Sequence, residues 1–294
     1  MHTIGFIGSG VMGASMAGHL LDAGYELHIT NRTRDKARRL VERGAIWHDT
    51  PSELAPCSEV ICTMVGFPAD VEAVYFGADG ILAAAKPGSL LVDFTTSRPD
   101  LAVRIAAAAS ARGLRALDAP VSGGDRGARE ATLSIMAGGT PEAFEAAGPV
   151  LDRLGRQRIL HGPAGSGQHC KMCNQIAIAG TMIGVCESLA YARQAKLDPA
   201  RVLESIATGA AGSWSLTHLA PRMLAGDDQP GFYVKHFVKD LGIALEAAQA
   251  MKLELPGLAL ALRLYRELSE AGAAECGTQA LIRRWEAPAV RQAT

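Results

Sequence analysis

The N-terminal segment carries the feature that most constrains the fold. Residues 4–13 read Ile-Gly-Phe-Ile-Gly-Ser-Gly-Val-Met-Gly, which places three glycines in the GxGxxG spacing. The motif follows a predicted strand and opens an amphipathic helix, the context in which it binds a dinucleotide. We expect Gly8 to make a tight turn, Gly10 to let the backbone approach a pyrophosphate, and Gly13 to permit close helix–strand packing. Ser9, Val11 and Met12 complete this predicted cofactor loop; a flexible glycine loop is the alternative.

The end of the second predicted strand bears on cofactor choice. An NAD site usually places Asp or Glu about 20 residues after the glycines, on the ribose 2′-hydroxyl. Here the chain reads Asn31-Arg32-Thr33-Arg34, with no carboxylate. Arg32 can pair with a 2′-phosphate and Thr33 can donate to it, so the segment predicts NADP rather than NAD. The alternative is that the arginines are solvated loop charges and Thr33 caps the next helix.

The pattern along the chain changes once, near residue 162. Before it, short β-rich runs alternate with helical stretches, which predicts an α/β fold with a mostly parallel, doubly wound sheet. After Gly167 the β pattern stops. We therefore predict a dinucleotide-binding domain over residues 1–162 and an all-α domain for substrate binding and oligomerisation over residues 163–294. The predicted strands are Thr3–Ile7, Glu26–Thr30, Ala45–Trp47, Val60–Met64, Leu90–Phe94, Arg115–Asp118, Leu133–Ala137 and Arg158–His161.

Charge and hydropathy exclude other classes of protein. Among 294 residues, Lys and Arg number 29 and Asp and Glu number 30, so the net charge is −1. Such a chain lacks the positive field of a dedicated nucleic-acid binder. The N-terminus has no basic region before an apolar core, as a secretory signal has. The uncharged run between Lys171 and Glu187 is shorter than the roughly 18 to 20 residues that span a bilayer, so we expect a buried helix in a cytoplasmic protein.

Six cysteines, among them the CxxC sequence Cys170-Lys171-Met172-Cys173, raise the question of metal or redox chemistry. A zinc site needs further ligands at suitable spacing, and a redox pair needs a thioredoxin-like context. Neither pattern is visible. We predict reduced structural thiols and no metal site.

A second glycine-rich segment follows the sixth predicted strand. Asp118-Ala119-Pro120-Val121-Ser122-Gly123-Gly124 stands at a strand's carboxyl end, where open α/β sheets bind ligands. Ser122 offers a hydroxyl, and Gly123 and Gly124 expose backbone N–H groups. The segment suits a small carboxylate, although an ordinary turn is the alternative.

A lysine marks the start of the first long helix of the second domain. Gly165-Ser166-Gly167-Gln168-His169-Cys170-Lys171 leads into the apolar run, with Asn174 and Gln175 three and four residues after Lys171 on the same face. A lysine beside apolar residues favours its neutral form, which suits general acid–base chemistry. A surface lysine that snorkels to solvent is the alternative. Lys239-Asp240 supplies a second cation, ambiguous when considered alone.

Taken in order, these motifs resemble the β-hydroxyacid dehydrogenase family, which includes 3-hydroxyisobutyrate dehydrogenase and tartronate semialdehyde reductase. The matching segments cover residues 5–13, 118–124 and 165–171, and Lys239-Asp240-Leu241, preceded by Gly231-Phe232, matches a fourth. The resemblance implies a Rossmann-like domain, a long interdomain helix, an α-helical domain and an active site in the cleft.

The resemblance also implies roles for individual residues. Lys171 would act as general acid–base and Ser122, Gly123 and Gly124 would hold the substrate carboxylate. Asn174, Gln175 and Asp240 would bind substrate, Thr96 and Lys239 would lie near the nicotinamide and substrate, and Met64 and Val65 would line the cofactor. Two positions depart from the family: Gln175 replaces its usual Asn, and Ala131 replaces the Gly of Gly-Thr-Leu. Trp214 resembles a residue bordering the substrate in 3-hydroxyisobutyrate dehydrogenases; core packing is its alternative role.

The resulting hypothesis is an NAD(P)-dependent oxidoreductase that acts on a short 3-hydroxy acid, with NADP preferred. Alternatives within the family are an NADPH-dependent reductase of glyoxylate, succinic semialdehyde or tartronate semialdehyde, and an L-serine dehydrogenase. A non-catalytic cofactor-binding protein is the alternative from another class. It would need the glycine loop at residues 8–13 but not Lys171 together with the carboxylate-binding segment 118–124. Long apolar helices favour a dimer or tetramer.

Overall fold

The computed structural model describes residues 3–286, which divide into two compact units at Met172/Cys173. The division falls inside a long helix, later than the boundary expected at residues 162/163. The helix is continuous across it, and its first turns are held by the first unit through hydrogen bonds described below. Each unit is described by itself.

One nine-stranded sheet organises the first unit. The strand order is β3-β2-β1-β4-β5-β6-β8-β7, with β9 paired to β8. The six strands from β3 to β6 are parallel, and β8 is antiparallel to β6 and β7. This confirms the predicted mostly parallel sheet. The strands are β1 (Thr3–Ile7), β2 (Glu26–Thr30), β3 (Ile46–Trp47), β4 (Val60–Thr63), β5 (Leu90–Asp93), β6 (Arg115–Asp118), β7 (Val121–Ser122), β8 (Leu133–Gly139) and β9 (Gly155–Leu160).

The order 3-2-1-4-5-6 is that of a doubly wound dinucleotide fold, which reverses direction between β1 and β4. Ligands bind at this switch point, outside the carboxyl ends of the strands. The central strands β4 and β5 are buried throughout, as strands covered on both faces must be. The sheet therefore places the glycine motif after β1 at the expected ligand-binding edge.

Helices α1 to α8 belong to the first unit, and Pro opens four of them at the first turn, where its missing N–H costs nothing. A 3₁₀ turn, Arg34–Ala37, precedes α2. The short strand β7 has no counterpart among the sequence predictions, because two residues carry no readable alternation. The helices are α1 (Val11–Asp22), α2 (Arg38–Glu42), α3 (Pro51–Leu54), α4 (Pro68–Phe76), α5 (Ile81–Ala84), α6 (Pro99–Ser110), α7 (Gly124–Arg129) and α8 (Pro141–Leu151).

The described part of the second unit is helical, as predicted, with one isolated β-bridge between Tyr233 and Gly277. Phe237 and Tyr265 pack edge to face at its centre, with ring centroids 4.8 Å apart. The helices from the unit boundary onward are α9 (Ser166–Gln194), α10 (Pro199–Ile206), α11 (Trp214–His218), α12 (Ala220–Leu224), α13 (Val234–Ala250) and α14 (Pro256–Leu268), followed by a π-helical turn (Ser269–Ala273) and a 3₁₀ helix (Thr278–Trp285).

Helix α9 has 29 residues and is long and apolar enough, by length and composition alone, to cross a membrane. The helix extends at both ends beyond the uncharged run that was expected to be too short to span a bilayer. A core helix passes the same test. Its buried positions include the polar side chains of Gln168, Lys171 and Gln175.

The start of α9 is held by the Asp118 carboxylate at the end of β6. Oδ1 accepts from the Gly165 N–H at 2.7 Å and Oδ2 accepts from the Gln168 N–H at 2.9 Å. The glycine between them is required by space, because a Cβ on Gly167 would lie 2.4 Å from the Met136 carbonyl oxygen. Asp118 thus satisfies helix N–H groups that have no partner within the helix.

Burial raises the pKa of Asp118 to about 6, although the N–H donors of Gly165 and Gln168 act in the opposite direction. The ordinary value is 3.8, so between these values the folded chain binds more protons than the unfolded chain. The free energy of unfolding therefore falls as pH rises through this window, by up to about 1.4 kcal/mol per pH unit.

Asp118→Asn should weaken this dependence of the free energy of unfolding on pH, because the titrating carboxyl is removed. Urea unfolding at several pH values measures it.

Asp79→Asn, at an exposed carboxylate, is the control and should keep the wild-type slope. A slope unchanged by Asp118→Asn would contradict the assignment.

Candidate functional site

The turn after β1 has the geometry that its glycines predict. Gly8 has φ +100°, and its N–H donates to the Thr30 carbonyl at 3.0 Å. A Cβ on Gly8 would lie 2.2 Å from the Met64 carbonyl oxygen, and one on Gly13 would lie 2.0 Å from the Gly8 carbonyl oxygen. Both positions therefore exclude any side chain. The turn brings the first helix within backbone contact of the strand.

Gly10 is different, since a Cβ there would meet no atom within 4 Å. It is the N-cap of α1 and provides no side-chain cap, and Val11 beside it is 59% exposed. The Ser9 hydroxyl oxygen is buried and has no hydrogen-bond partner within residues 3–286. Open space over a helix N-terminus and an unpaired hydroxyl fit the diphosphate of a dinucleotide. Met12 lies in the first turn of the same helix.

Asn31 joins the two loops at the carboxyl ends of β1 and β2. Its Oδ1 accepts from the Ser9 N–H at 3.1 Å, and its Nδ2 donates to the Thr33 carbonyl at 2.7 Å. Thr33 is the N-cap of the following 3₁₀ turn but its side chain makes no cap bond, so the capping alternative is wrong. The Arg32 side chain is 88% exposed and its Nη1 lies 3.3 Å from Asp70 Oδ1. An exposed pair of this kind contributes little stability, so Arg32 can exchange partners at low cost.

Two further strand ends lie beside this turn. The Met64 N–H donates to the Ile7 carbonyl at 2.9 Å, and the Val65 N–H donates to Thr95 Oγ1 at 3.0 Å. Thr96 follows, half-buried. The structure therefore brings Gly8, Met64 and Val65 together. Thr95, which positions Val65, was not among the predicted residues.

Gln168 is a second residue that the sequence analysis missed. It is fully buried; its Oε1 accepts from the Ser97 N–H at 2.9 Å and its Nε2 donates to the Thr95 carbonyl at 2.8 Å. It therefore ties the loop that carries Thr96 to the first turn of α9. Its place in the Gly-Ser-Gly-Gln sequence was the available signal, but only the fold shows its partners.

The segment expected to be a glycine loop begins as the strand β7, in which Ser122 pairs with Ser134. Gly123 and Gly124 then adopt φ +132° and +62°, a region that disfavours other residues. Leu133 packs 3.2 Å from the position of a Cβ on Gly123. These two glycines thus turn the chain from β7 into α7, with Gly123 exposed and Gly124 half-buried.

Lys171 lies in the second turn of α9 and is 6% exposed, so the alternative of a snorkelling surface lysine is wrong. Burial of an amine costs free energy unless polar groups compensate it. The helix that carries it is fixed by Asp118 and Gln168. Together these contacts hold a buried amine on a rigid element.

In the second unit, four polar side chains form a chain of contacts. Asn174 Nδ2 donates to Gln175 Oε1 at 2.7 Å, and Gln175 Nε2 donates to Asp240 Oδ2 at 2.6 Å. Lys239 Nζ forms an ion pair with Asp240 Oδ1 at 3.0 Å. Gln175 and Asp240 are each 1% exposed. Burial, and next the charge of Lys239, lower the pKa of the nearby His236.

Trp214 begins α11, where its side chain is 63% exposed and stacks on His218 with ring centroids 4.6 Å apart. The alternative of core packing is therefore wrong. The Ser213 hydroxyl caps this helix by accepting from the Leu216 N–H at 3.0 Å. A large exposed aromatic ring is available to a ligand or partner surface.

Comparison with known proteins agrees with this geometry. Residues 3–163 match the family described as the NAD binding domain of 6-phosphogluconate dehydrogenase. Residues 165–285 match the family described as NAD-binding of NADP-dependent 3-hydroxyisobutyrate dehydrogenase. The two matches cover nearly all the chain.

Individual relatives span the same length. The chain is 57% identical over 283 residues to the uncharacterized oxidoreductase YkwC of Bacillus subtilis (strain 168), covering 96% of this chain and 98% of that protein. It is 38% identical to 2-hydroxy-3-oxopropionate reductase of Escherichia coli (strain K12), covering 96% and 97%. The solved structure of Mycobacterium tuberculosis 3-hydroxyisobutyrate dehydrogenase with L-serine matches with a TM-score of 0.90 at 30% identity, covering 98% and 100%. The chain belongs to the β-hydroxyacid dehydrogenase family of NAD(P)-dependent oxidoreductases.

Proposed function

We propose that the chain interconverts a short 3-hydroxy acid, of the size of 3-hydroxyisobutyrate, and its semialdehyde, with NADP as the preferred cofactor and Lys171 as the general acid–base. The observation that carries the proposal is the buried Lys171 amine, held on a helix whose first turn is fixed to the strand ends of a dinucleotide fold. Buried titratable groups are concentrated at functional sites, and this one lies on a helix anchored at the ligand-binding edge of the sheet.

Proton transfer is the task of Lys171. In the oxidative direction its neutral amine takes the hydroxyl proton of the substrate; in the reductive direction its ammonium returns that proton to the carbonyl oxygen. The nicotinamide, when bound, exchanges a hydride with the carbinol carbon. Fixing the helix limits the motion of the amine, which preserves its alignment with the substrate oxygen.

Recognition of the substrate carboxylate is assigned to Ser122, Gly123 and Gly124. The positive φ angles of the two glycines support this role, because successive N–H groups in such a turn converge on an anion. The Ser122 hydroxyl is the further donor.

Asn174, Gln175 and Lys239 are assigned to the substrate, with Trp214 bordering it. Asp240 is a positioning residue in this proposal, because its oxygens contact Gln175 and Lys239. Gln175, one methylene longer than the family's usual Asn, therefore retains an amide fixed by a carboxylate.

The NADP preference rests on the end of β2. None of residues 31–34, which follow Thr30, carries a carboxylate, and the exposed Arg32 guanidinium and Thr33 hydroxyl are suited to a 2′-phosphate. Gly8, Gly10 and Gly13 admit the diphosphate, with Ser9, Val11 and Met12 between them. Met64, Val65, Thr96 and Lys239 complete the proposed cofactor contacts.

The first test is Lys171→Ala. We expect kcat for 3-hydroxyisobutyrate to fall by about 10² to 10⁴, because the general acid–base is lost. NADP affinity, measured by fluorescence titration, should stay close to that of the wild type and would show that the variant is folded. Lys86→Ala, at an exposed lysine of the same unit, is the control. Full turnover by Lys171→Ala would overturn the assignment.

The second test concerns the cofactor. Arg32→Ala should raise the Kd for NADP about tenfold through loss of a charge-assisted contact and change the Kd for NAD less than about twofold. Arg39→Ala, at another exposed arginine, should change neither. Tighter binding of NAD than NADP by the wild type would refute the preference.

The third test is a steady-state panel of 3-hydroxyisobutyrate, L-serine, glycerate, 4-hydroxybutyrate and glyoxylate with both cofactors. We expect the highest kcat/KM with 3-hydroxyisobutyrate. The absence of a carboxylate after β2 equally suits an NADPH-dependent reductase, so the second candidate is a reductase of a short aldehyde acid. Tartronate semialdehyde is added to the panel to test this candidate. The highest kcat/KM with it or with glyoxylate would select the reductase.

We also propose that the enzyme forms a dimer or tetramer, because its long apolar helices favour self-association. A cytoplasmic location is a separate proposal. Light scattering during gel filtration measures the assembly state.

A further inference from the structure

Two histidines and a cysteine meet on one face of the sheet, within the first unit. His28 lies in β2, His48 follows β3, and Cys57 ends the 3₁₀ turn after α3, Ala55–Cys57. One ring nitrogen of each histidine and the Cys57 sulfur all lie within 4.8 Å of one another. These residues take no part in the proposed reaction. We call them the His28–His48–Cys57 cluster.

The two imidazoles are oriented edge to edge rather than stacked. His28 Nδ1 lies 2.8 Å from His48 Nε2, with the ring planes tilted by 40°. A hydrogen bond at this distance needs one protonated and one unprotonated nitrogen. One N–H and one lone pair therefore meet between the rings, and a second lone pair would face that space if the His48 proton moved to Nδ1.

The other nitrogen of His28 decides which of the two is unprotonated. His28 Nε2 lies 3.0 Å from Glu26 Oε1, and an ionised carboxylate only accepts, so Nε2 carries the proton. In neutral His28 the lone pair is then on Nδ1. A carboxylate behind a histidine is the arrangement that orients metal-binding imidazoles and increases their basicity.

Cys57 completes the cluster from the solvent side. It is exposed, whereas His28 is buried and His48 is half-buried, so an ion can enter past the sulfur. Its thiol contacts the Glu53 carbonyl oxygen at 3.7 Å. Metal binding would need only a short movement of the sulfur, which already lies within 4.8 Å of a nitrogen of each ring.

We propose that the His28–His48–Cys57 cluster binds one Zn²⁺ through His28 Nδ1, His48 Nε2 and Cys57 Sγ, with water as the fourth ligand and Glu26 behind His28. A tetrahedral ion with its usual bond lengths separates such ligand atoms by roughly 3.3 to 3.6 Å. The nitrogens move apart by about 0.5 Å and the sulfur approaches by about 1.3 Å at most. One thiolate and two imidazoles suit zinc and cobalt, not magnesium or calcium.

Binding is balanced by proton release. Cys57 loses its thiol proton to solvent as the sulfur–metal bond forms. His48 transfers its proton from Nε2 to Nδ1, through solvent, and remains neutral. No oxidant or reductant is needed, since neither zinc nor the ligands change oxidation state. The ion would join β2, the segment after β3 and the turn after α3.

Cobalt titration of the full chain, kept reduced, tests the site. We expect one Co²⁺ per chain, a thiolate-to-cobalt charge-transfer band, and loss of that band when Zn²⁺ is added. Cys57→Ser and His48→Gln should lose the band. Glu26→Gln should keep it but weaken Co²⁺ affinity about 10- to 100-fold, as loss of the carboxylate behind a histidine does.

The matched controls are Cys173→Ser, at another exposed thiol, and His218→Gln, at another histidine. Both should retain the band, and circular dichroism shows whether each variant is folded. Absence of the band in the wild type would overturn the proposal, as would its persistence in Cys57→Ser. Loss of the band in Cys173→Ser would also overturn it, since the CxxC sequence would then be the site. None of these outcomes depends on turnover, so the proposed function stands or fails separately.

Discussion

The contact on which the candidate site depends is that between the Asp118 carboxylate and the first turn of α9. A buried carboxylate is costly, and here two backbone N–H groups at 2.7 and 2.9 Å offset part of that cost. The same N–H groups would otherwise be unsatisfied at a buried helix start. Gln168 adds two hydrogen bonds to the loop after β5. The position of Lys171 follows, because it lies one turn further along the same rigid helix.

Close backbone approach is the second constraint, and glycine is the residue that permits it. Gly8, Gly13 and Gly167 each stand where a Cβ would lie within 2.5 Å of a carbonyl oxygen. Gly10 instead faces open space, which leaves room for a phosphate. The four glycines therefore have two different roles. Three allow one backbone segment to pack against another, and the fourth leaves a surface uncovered. A single sequence motif contains both kinds.

Much of the first unit was predictable because parallel strands buried on both faces are apolar runs with clear limits. The order of helices and strands and the glycine turn follow from that pattern. The strand β7 and the antiparallel direction of β8 could not be predicted in this way, because neither a two-residue strand nor the direction of a strand leaves a periodic pattern in the sequence. Lys171 was predicted as an amine at the edge of an apolar run, but its burial was not, because the alternative of a solvated lysine has the same sequence.

The sequence by itself determined the fold class, the family and the glycine turn after β1, because these depend on local spacing along one strand and one helix. Only the tertiary structure decided the partners of Asp118, Gln168 and Asp240, since each forms a hydrogen bond with a residue between 47 and 73 positions away in the sequence. It also brought a ring nitrogen of His28, a ring nitrogen of His48 and the Cys57 sulfur within 4.8 Å of one another. Separation in sequence hides such groups, because parallel strands bring their side chains together only after the sheet has formed.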